Sequence, residues 1–366
     1  MPSVTCAGDV ASAIVRQVAG TVGYFHHQGC CQLPPDLDRV TETLISLGKS
    51  PNVAAVLVVS LGCEGTDHER LTAEIRKTGK PVRIIRIQEL GGVSAAIKAG
   101  IDAAQELVML VSGIQRQPVS IDRITMAIKC GASDTTSGMA SNCVVGYVAD
   151  KLVDLGATVV FGETTEFLGG EHLLARRAVD PEVSDKIYEI VNRMEARARS
   201  LGCDMRKGQP TPGNIEGGLS SIEEKSLGAI VKSGTRPIQG VMEYPETIGQ
   251  RKGLWIKDTP GREPEILTGM AATGAQFMMF STGRGAPQGF PTMPVLKVCG
   301  NPNTYERMSH DMDINAGRII TGEKSIEEVG EEAFSAILDL LSGKQTKNET
   351  LGYHSSIDIY TLGPVI

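Results

Sequence analysis

Lys129-Cys130-Gly131-Ala132-Ser133-Asp134-Thr135-Thr136-Ser137-Gly138 opens directly out of the apolar run Ile124–Ile128. A short apolar run bounded by small polar residues reads as a buried strand, and the Gly/Ser/Thr/Asp continuation as the loop at its end. That loop carries a thiol, an amine, a carboxylate and four hydroxyls, with glycines that let backbone N–H groups approach a ligand closely. Ligands of open α/β sheets sit outside the carboxyl ends of the strands. The stretch therefore implies a parallel sheet with a small polar anion at the end of one strand, and Ser133, Asp134, Thr135 and Ser137 are candidate contacts to it.

Upstream, apolar runs alternate with helical spacing. Strands are expected at Thr21–Phe25, Val53–Ser60 and Val82–Ile87, and helices at Asp36–Leu47, Asp67–Thr78 and Val93–Glu106. Such a βαβαβ rhythm implies right-handed crossovers. Downstream, helix Ser141–Leu155 leads to strand Ala157–Phe161, and a long amphipathic helix spans Asp185–Leu201 with Ser184 as its N-cap. The Gly/Pro-rich residues 207–221 exceed a simple connector. Further strands are expected at Ile238–Glu243, Leu254–Lys257, Phe277–Ser281, Val295–Val298 and near Ile357–Thr361, with a helix over Ser325–Ser342. The fold class is α/β: two lobes, 1–115 and 116–366, each a mainly parallel, Rossmann-like sheet flanked by helices, with Gly113–Ser120 as the boundary.

The 366 residues exceed one ordinary core, which supports two lobes. A net charge of −7 without a dense Lys/Arg cluster argues against nucleic acid. No apolar run approaches the about 20 residues of a membrane helix, and residues 1–20 lack the pattern of a secretory signal. A cytoplasmic protein is expected, in which eight cysteines serve as thiols, ligands or core residues. There is neither a phosphate-binding Walker loop, since position 43 is Thr and Gly48 precedes its strand, nor a GxGxxG fingerprint.

Cys30, Cys63 and Cys130 stand at or just past strand ends, with His26 and Glu64 close in sequence. Thiolate, imidazole and carboxylate are usual ligands of Zn²⁺ and Fe²⁺, and converging loops also hold iron–sulfur clusters. His26, Cys30, Cys63 and Cys130 are the candidate metal ligands, as against small buried cysteines. Beyond another strand, Glu163-Thr164-Thr165-Glu166 and Gly170-Glu171-His172 could supply acid/base chemistry. Thr282, Gly283 and Arg284 form a candidate clamp for a carboxylate, although Arg284 could equally be salt-bridged to the scaffold.

Taken in chain order, the pieces resemble the UxaA family of sugar-acid dehydratases, which includes altronate and galactarate dehydratases. They are His26-x-x-Gly29-Cys30, Leu61-Gly62-Cys63-Glu64, Lys129-Cys130-Gly131 through Gly138, Glu163–Glu166 with Glu171-His172, Gly213-Asn214, Gly217-Gly218-Leu219, Glu223–Gly228, Asp258-Thr259-Pro260-Gly261, Thr282–Gly285 and Asp311–Asn315. The resemblance implies a metal-dependent lyase that dehydrates a sugar acid to a 2-keto-3-deoxy acid. The metal would be a divalent ion, Fe²⁺ first, then Mn²⁺ or Zn²⁺. Related sulfolactate sulfo-lyases, which expel sulfite from a two-subunit enzyme, are the alternative, and a non-catalytic binding subunit is a further one. Lys129, Glu166, Glu171 and His172 are the expected acid/base residues, Lys129 as a base that loses its proton when desolvated, and Asn214 an expected substrate contact. A separate small β-rich subunit and self-association are also expected.

Overall fold

The computed structural model describes residues 1–354, 357–364 and 366. In the first lobe two parallel strands, β1 (Val56–Ser60) and β2 (Val82–Arg86), are flanked by helices α1 (Gly8–Val15), α2 (Pro34–Lys49), α3 (His68–Arg76) and α4 (Val93–Val111). Pro2 pairs with Val59 in parallel, so the chain's first residues extend this small sheet by a short edge. Thr21–Phe25 is no strand: it runs unpaired and is tied by Tyr24 Oη to Thr292 Oγ1 at 2.5 Å. Its alternating apolar pattern suits an extended backbone but found no ladder to join.

The second lobe is built on seven parallel strands: β3 (Thr125–Cys130), β4 (Thr158–Phe161), β5 (Ile238–Met242), β6 (Gly253–Lys257), β7 (Phe277–Thr282), β8 (Val295–Cys299) and β9 (Ile314–Asn315). Their order is β5-β6-β4-β3-β7-β8-β9. From β3 the chain first builds outward on one side through β4, then returns to place β7 on the other. The order thus reverses at β3, and the crevice beyond its carboxyl end is a topological switch point, where α/β folds bind ligands. All six residues of β3 are buried, as a strand covered on both faces requires.

Helices α5 (Asn142–Asp154), α6 (Glu171–Ala175), α7 (Pro181–Ser200), α8 (Pro212–Glu216), α9 (Ile222–Ile230), α10 (Glu263–Ala272) and α11 (Pro302–Arg307) lie among the strands, with α12 (Gly317–Ile320), α13 (Ile326–Leu341) and α14 (Lys347–Leu351) after them. A π-helical turn, Ser137–Ser141, leads into α5. The long helix α7 starts four residues before the expected Asp185: Asp180 caps it through Val183 N at 2.9 Å, with Pro181 at N1, and not Ser184. The short helix α8 breaks the 207–221 loop, which a single helical turn, Met205–Lys207, leads into. Residues 357–361 form no strand, but Ile357 and Ile359 are buried against the core.

One face of the large sheet packs Met126, Ile128, Val159 and Phe161 on α5, α7 and α13. On the other face Ala127, Val160 and Phe280 pack with α10 and, in the same apolar cluster, with Val40, Leu44 and Val58 of the first lobe. A third cluster joins α1 and α4 over the small sheet.

Candidate active site

Lys129 lies in the middle strand of the large sheet and is fully buried, together with Glu163, Glu166 and Lys232. An ammonium inside a sheet is stable only when paired. Its Nζ lies 3.1 Å from Glu163 Oε1 and 3.5 Å from Glu263 Oε1, and donates to its neighbour's carbonyl, Cys130 O, at 3.0 Å. The other oxygen of Glu163 accepts from Cys130 N at 2.8 Å and from Lys232 Nζ. Lys232 Nζ continues to Glu166 Oε2 at 2.7 Å, and Lys225 Nζ lies 3.4 Å from Glu166 Oε1. A continuous chain Lys129–Glu163–Lys232–Glu166–Lys225 results, placed at the carboxyl ends of β3 and β4.

Local backbone serves this chain. Glu163 holds φ = 69°, a left-handed conformation costly for a residue with a side chain. Glu163 N donates to Thr259 Oγ1 at 2.8 Å and Thr164 N to Thr259 O at 3.0 Å, contacts that fix the strained turn. Such strain clusters at functional positions.

The charges are set against each other. Burial and the neighbouring Glu166 raise the carboxyl of Glu163. Burial would raise Glu166 too, but Lys232 and Lys225 outweigh it and bring its pKa down to about 2. Burial works to strip the proton from Lys129, yet Glu163, Glu263 and Glu166 reverse this and raise its pKa. The expectation that desolvation makes Lys129 a neutral base is corrected: it stays an ammonium. Burial, reinforced by Glu166, also raises the Cys130 thiol.

The loop after β3 is organised from within. Asp134 Oδ1 accepts from Thr136 Oγ1 at 2.6 Å and Ser137 N at 3.1 Å, while Oδ2 accepts from Asn301 Nδ2 at 2.9 Å. Its carboxylate therefore shapes the loop, and was read from sequence as a substrate contact. Asn214 Nδ2 donates to Ser133 O at 2.8 Å, Thr135 N to Gly217 O at 3.0 Å, and Gly283 N and Arg284 N both to Ala132 O. Ser133 Oγ lies 2.9 Å from Cys130 Sγ. Thr282 is buried, its hydroxyl accepting from Gly285 N and Ala286 N. Arg284 pairs with Glu216 at 2.8 Å on the surface.

Of the expected acid/base residues the structure brings Lys129 and Glu166 together. Glu171 and His172 sit on α6, His172 exposed, and no hydrogen bond or ion pair among the described residues joins either to the buried chain. Sequence reasoning missed Lys232, Lys225 and Glu263, and left Glu163 without a role of its own.

The metal set does not fit. Gln28 N donates to His26 Nδ1 at 3.2 Å, which leaves the proton on Nε2, donated to Pro2 O at 3.0 Å. Neither nitrogen has a lone pair to spare. Cys30 is exposed beside Cys31, with their sulfurs 3.7 Å apart, and exposed Cys63 accepts from Gln88 Nε2. Cys130 is buried in the other lobe's sheet. Among the described residues no group of three or more His, Cys, Asp or Glu is arranged to hold a metal ion. No helix among the described residues is long and apolar enough to cross a membrane.

The family models agree with this architecture. That of the D-galactarate dehydratase/altronate hydrolase second domain matches residues 1–112, and that of the D-galactarate/altronate dehydratase C-terminal domain matches residues 121–365. A (2R)-sulfolactate sulfo-lyase subunit beta of Chromohalobacter salexigens is 38% identical over 95% of this chain and 89% of its own length. Altronate dehydratase of Bacillus subtilis is 30% identical over 95% of this chain and 71% of its own, and galactarate dehydratase (L-threo-forming) of Escherichia coli 35% identical over 88% and 63%. These relatives are lyases. Both family models and these relatives lead to one conclusion: the chain belongs to the D-galactarate/altronate dehydratase family.

Proposed function

We propose that this chain dehydrates a sugar acid of the altronate or galactarate type to a 2-keto-3-deoxy acid. The observation that carries the reading is the buried chain Lys129–Glu163–Lys232–Glu166 at the end of the central strand. The proton on C2 of a 2-hydroxy acid is abstracted next to a carboxylate, so negative charge accumulates on an enediolate. Preorganised cations in a site shielded from water stabilise such charge best. Lys129 and Lys232, held charged, supply that potential.

Two carboxyls pushed apart by their surroundings mark an acid and a base. Glu166, kept ionised, takes the C2 proton. Glu163, whose carboxyl burial and Glu166 raise, relays a proton from the Lys232 ammonium to the 3-hydroxyl, which leaves as water, and the enol tautomerises to the ketone. Lys232 touches both carboxyls and regains its proton from Glu166 for the next turnover.

A second reading, elimination of sulfite from sulfolactate, is supported by the 38% identity to the sulfo-lyase subunit. Sulfite leaves as a stable anion and needs no acid. The "subunit beta" of that relative's name also supports a second, small chain completing the enzyme.

Turnover of altronate, galactarate and sulfolactate tests both readings, together with exchange of the C2 hydrogen in deuterated solvent. Lys129→Met and Glu166→Gln are expected to lose turnover and exchange by about 100-fold or more. Glu163→Gln should lose dehydration while keeping exchange. Lys257→Met, which alters a buried lysine without a carboxylate partner, should keep both. Dehydration surviving in Lys129→Met and Glu163→Gln alike would sink the proposal. Glu163→Gln with full activity on sulfolactate alone would favour the second reading.

A further inference from the structure

Between the lobes lies a cavity of about 430 Å³. It is lined on one side by the start of α1 and residues 25–27, and on the other by Arg262, Pro264 and the C-terminal segment. The Pro2 edge leads into Thr5 and α1, and β6 leads through residues 258–261 into Arg262 and α10. Clefts of this size at lobe interfaces are the usual place for small ligands. Nothing in the buried lysine–glutamate chain accounts for it.

Its polar lining is chemically mixed: Thr5, Asp9, Ser12, His26 and His27 from the first lobe, Arg262 at the start of α10, and Asp358 from the C-terminal segment. Arg262 bonds Glu265 Oε1 at 2.6 Å and lies 4.0 Å from Asp358 Oδ2, yet its side chain remains 67% exposed with further N–H donors free for a ligand. One guanidinium suits one carboxylate. Two carboxylates suit hydroxyl donors and repel a second strong anion, and the hydroxyls of Thr5 and Ser12 serve either role. That combination matches a polyhydroxy carboxylate better than a sulfonate.

The cavity and the buried chain share no lining residue, and the start of α10 is the element next to both. Glu263, next to Arg262, pairs with Lys129 and is 28% exposed where Lys129 is fully buried. The first turn of α10 is therefore shared by the cavity and the ionic network.

Resting on the dehydratase reading, we propose that this inter-lobe cavity is a binding site for the sugar acid outside the buried chain, that Arg262 takes the carboxylate and Asp9 and Asp358 the hydroxyls, and that the site selects polyhydroxy acids over sulfo acids. Calorimetric titration of the full chain with altronate, galactarate and sulfolactate tests it. At least one sugar acid should bind more tightly than sulfolactate. Arg262→Gln and Asp9→Asn should each weaken that binding by about tenfold or more at an unchanged unfolding midpoint, and Arg262→Lys should restore part of it. Lys129→Met should bind as the native chain does without turning over. Native affinity in Arg262→Gln and Asp9→Asn overturns the cavity, even if the loss of turnover in Lys129→Met leaves the dehydratase reading intact. Sulfolactate binding more tightly than both sugar acids, or no binding of any of the three, also overturns it. Weakened binding in Arg262→Gln with retained turnover in Lys129→Met would instead keep the cavity and remove the reading.

Discussion

Four lysines, Lys129, Lys232, Lys257 and Lys297, are fully buried, and their partners divide them into two kinds. Lys129 and Lys232 meet carboxylates and stay charged. Lys257 meets only Glu246 O and Thr273 Oγ1, each at 2.8 Å, and Lys297 a carbonyl and the ring of Phe280; burial pushes both far below the ordinary lysine range. Each of the four stands within or beside an apolar run, a pattern visible in the sequence. Which of them has a carboxylate partner is not visible, because Glu166 and Lys232 are 66 positions apart. His26 shows the same limit. Its neighbours in sequence suggested a ligand, while its fold partners make it a neutral structural residue. Burial lowers its pKa from 6.5 to about 4. A histidine whose folded pKa lies below its unfolded value binds its proton more readily in the unfolded chain, so stability is lost as the pH falls from about 6.5 to about 4 and is level above that window. Between pH 7 and pH 5 this amounts to about 2 kcal/mol. Urea unfolding of the native chain and of His26→Gln at both pH values should show that loss shrinking in the variant; an equal slope in the two proteins refutes the assignment.

At the scale of elements, the strands of the large sheet were legible because a parallel sheet covered on both faces needs apolar runs, and β3, β4, β6, β7 and β8 all satisfy that. The segments 21–25 and 357–361 mix apolar with polar or small residues and find no ladder partner. α7 starts at Pro181 and not after Ser184 because an acidic N-cap followed by Pro at N1 is the stronger signal. The loop after β3 was legible as a site element, but not the inward use of its groups. Asp134 is wedged against the backbone of the neighbouring loop: a Cβ on Gly283 would lie 1.9 Å from Asp134 Oδ1 and one on Gly217 2.6 Å from Asp134 Cβ. Gly283→Ala must therefore displace the carboxylate and the Thr136, Ser137 and Asn301 contacts it gathers. Turnover is expected to fall by about tenfold or more, with a loss of roughly 1–3 kcal/mol in unfolding free energy. Gly283→Ala with native turnover and native stability would show that the loop's shape does not depend on Asp134.

At the scale of the whole molecule, the lobes are joined by more than the chain between them. One apolar cluster contains Val40, Leu44 and Val58 from the first lobe with Ala127, Phe280 and Ile359 from the second. The C-terminal segment returns across this junction. Asp36, buried near the start of α2, accepts from Leu362 N at 2.8 Å and Gly363 N at 2.6 Å, and Gln28 Nε2 donates to Asp358 Oδ1 at 3.2 Å. Arg197 Nη1 donates to Tyr360 Oη at 3.0 Å from the second lobe. The segment is thus fastened on both sides, and Asp358 belongs at once to this fastening and to the inter-lobe cavity. Two charge-assisted bonds to one buried carboxylate are worth more than neutral ones, and their loss leaves the backbone donors unpaired. Asp36→Ala is therefore expected to cost about 2–4 kcal/mol in a single cooperative urea transition, with faster hydrogen exchange at Leu362 and Gly363. Because the cavity borrows Asp358 from the same segment, sugar-acid binding should weaken in Asp36→Ala although residue 36 does not line the cavity. Faster exchange confined to those two amides, with unchanged midpoint and affinity, would mean that the segment only lies on the first lobe and does not hold the two lobes in register.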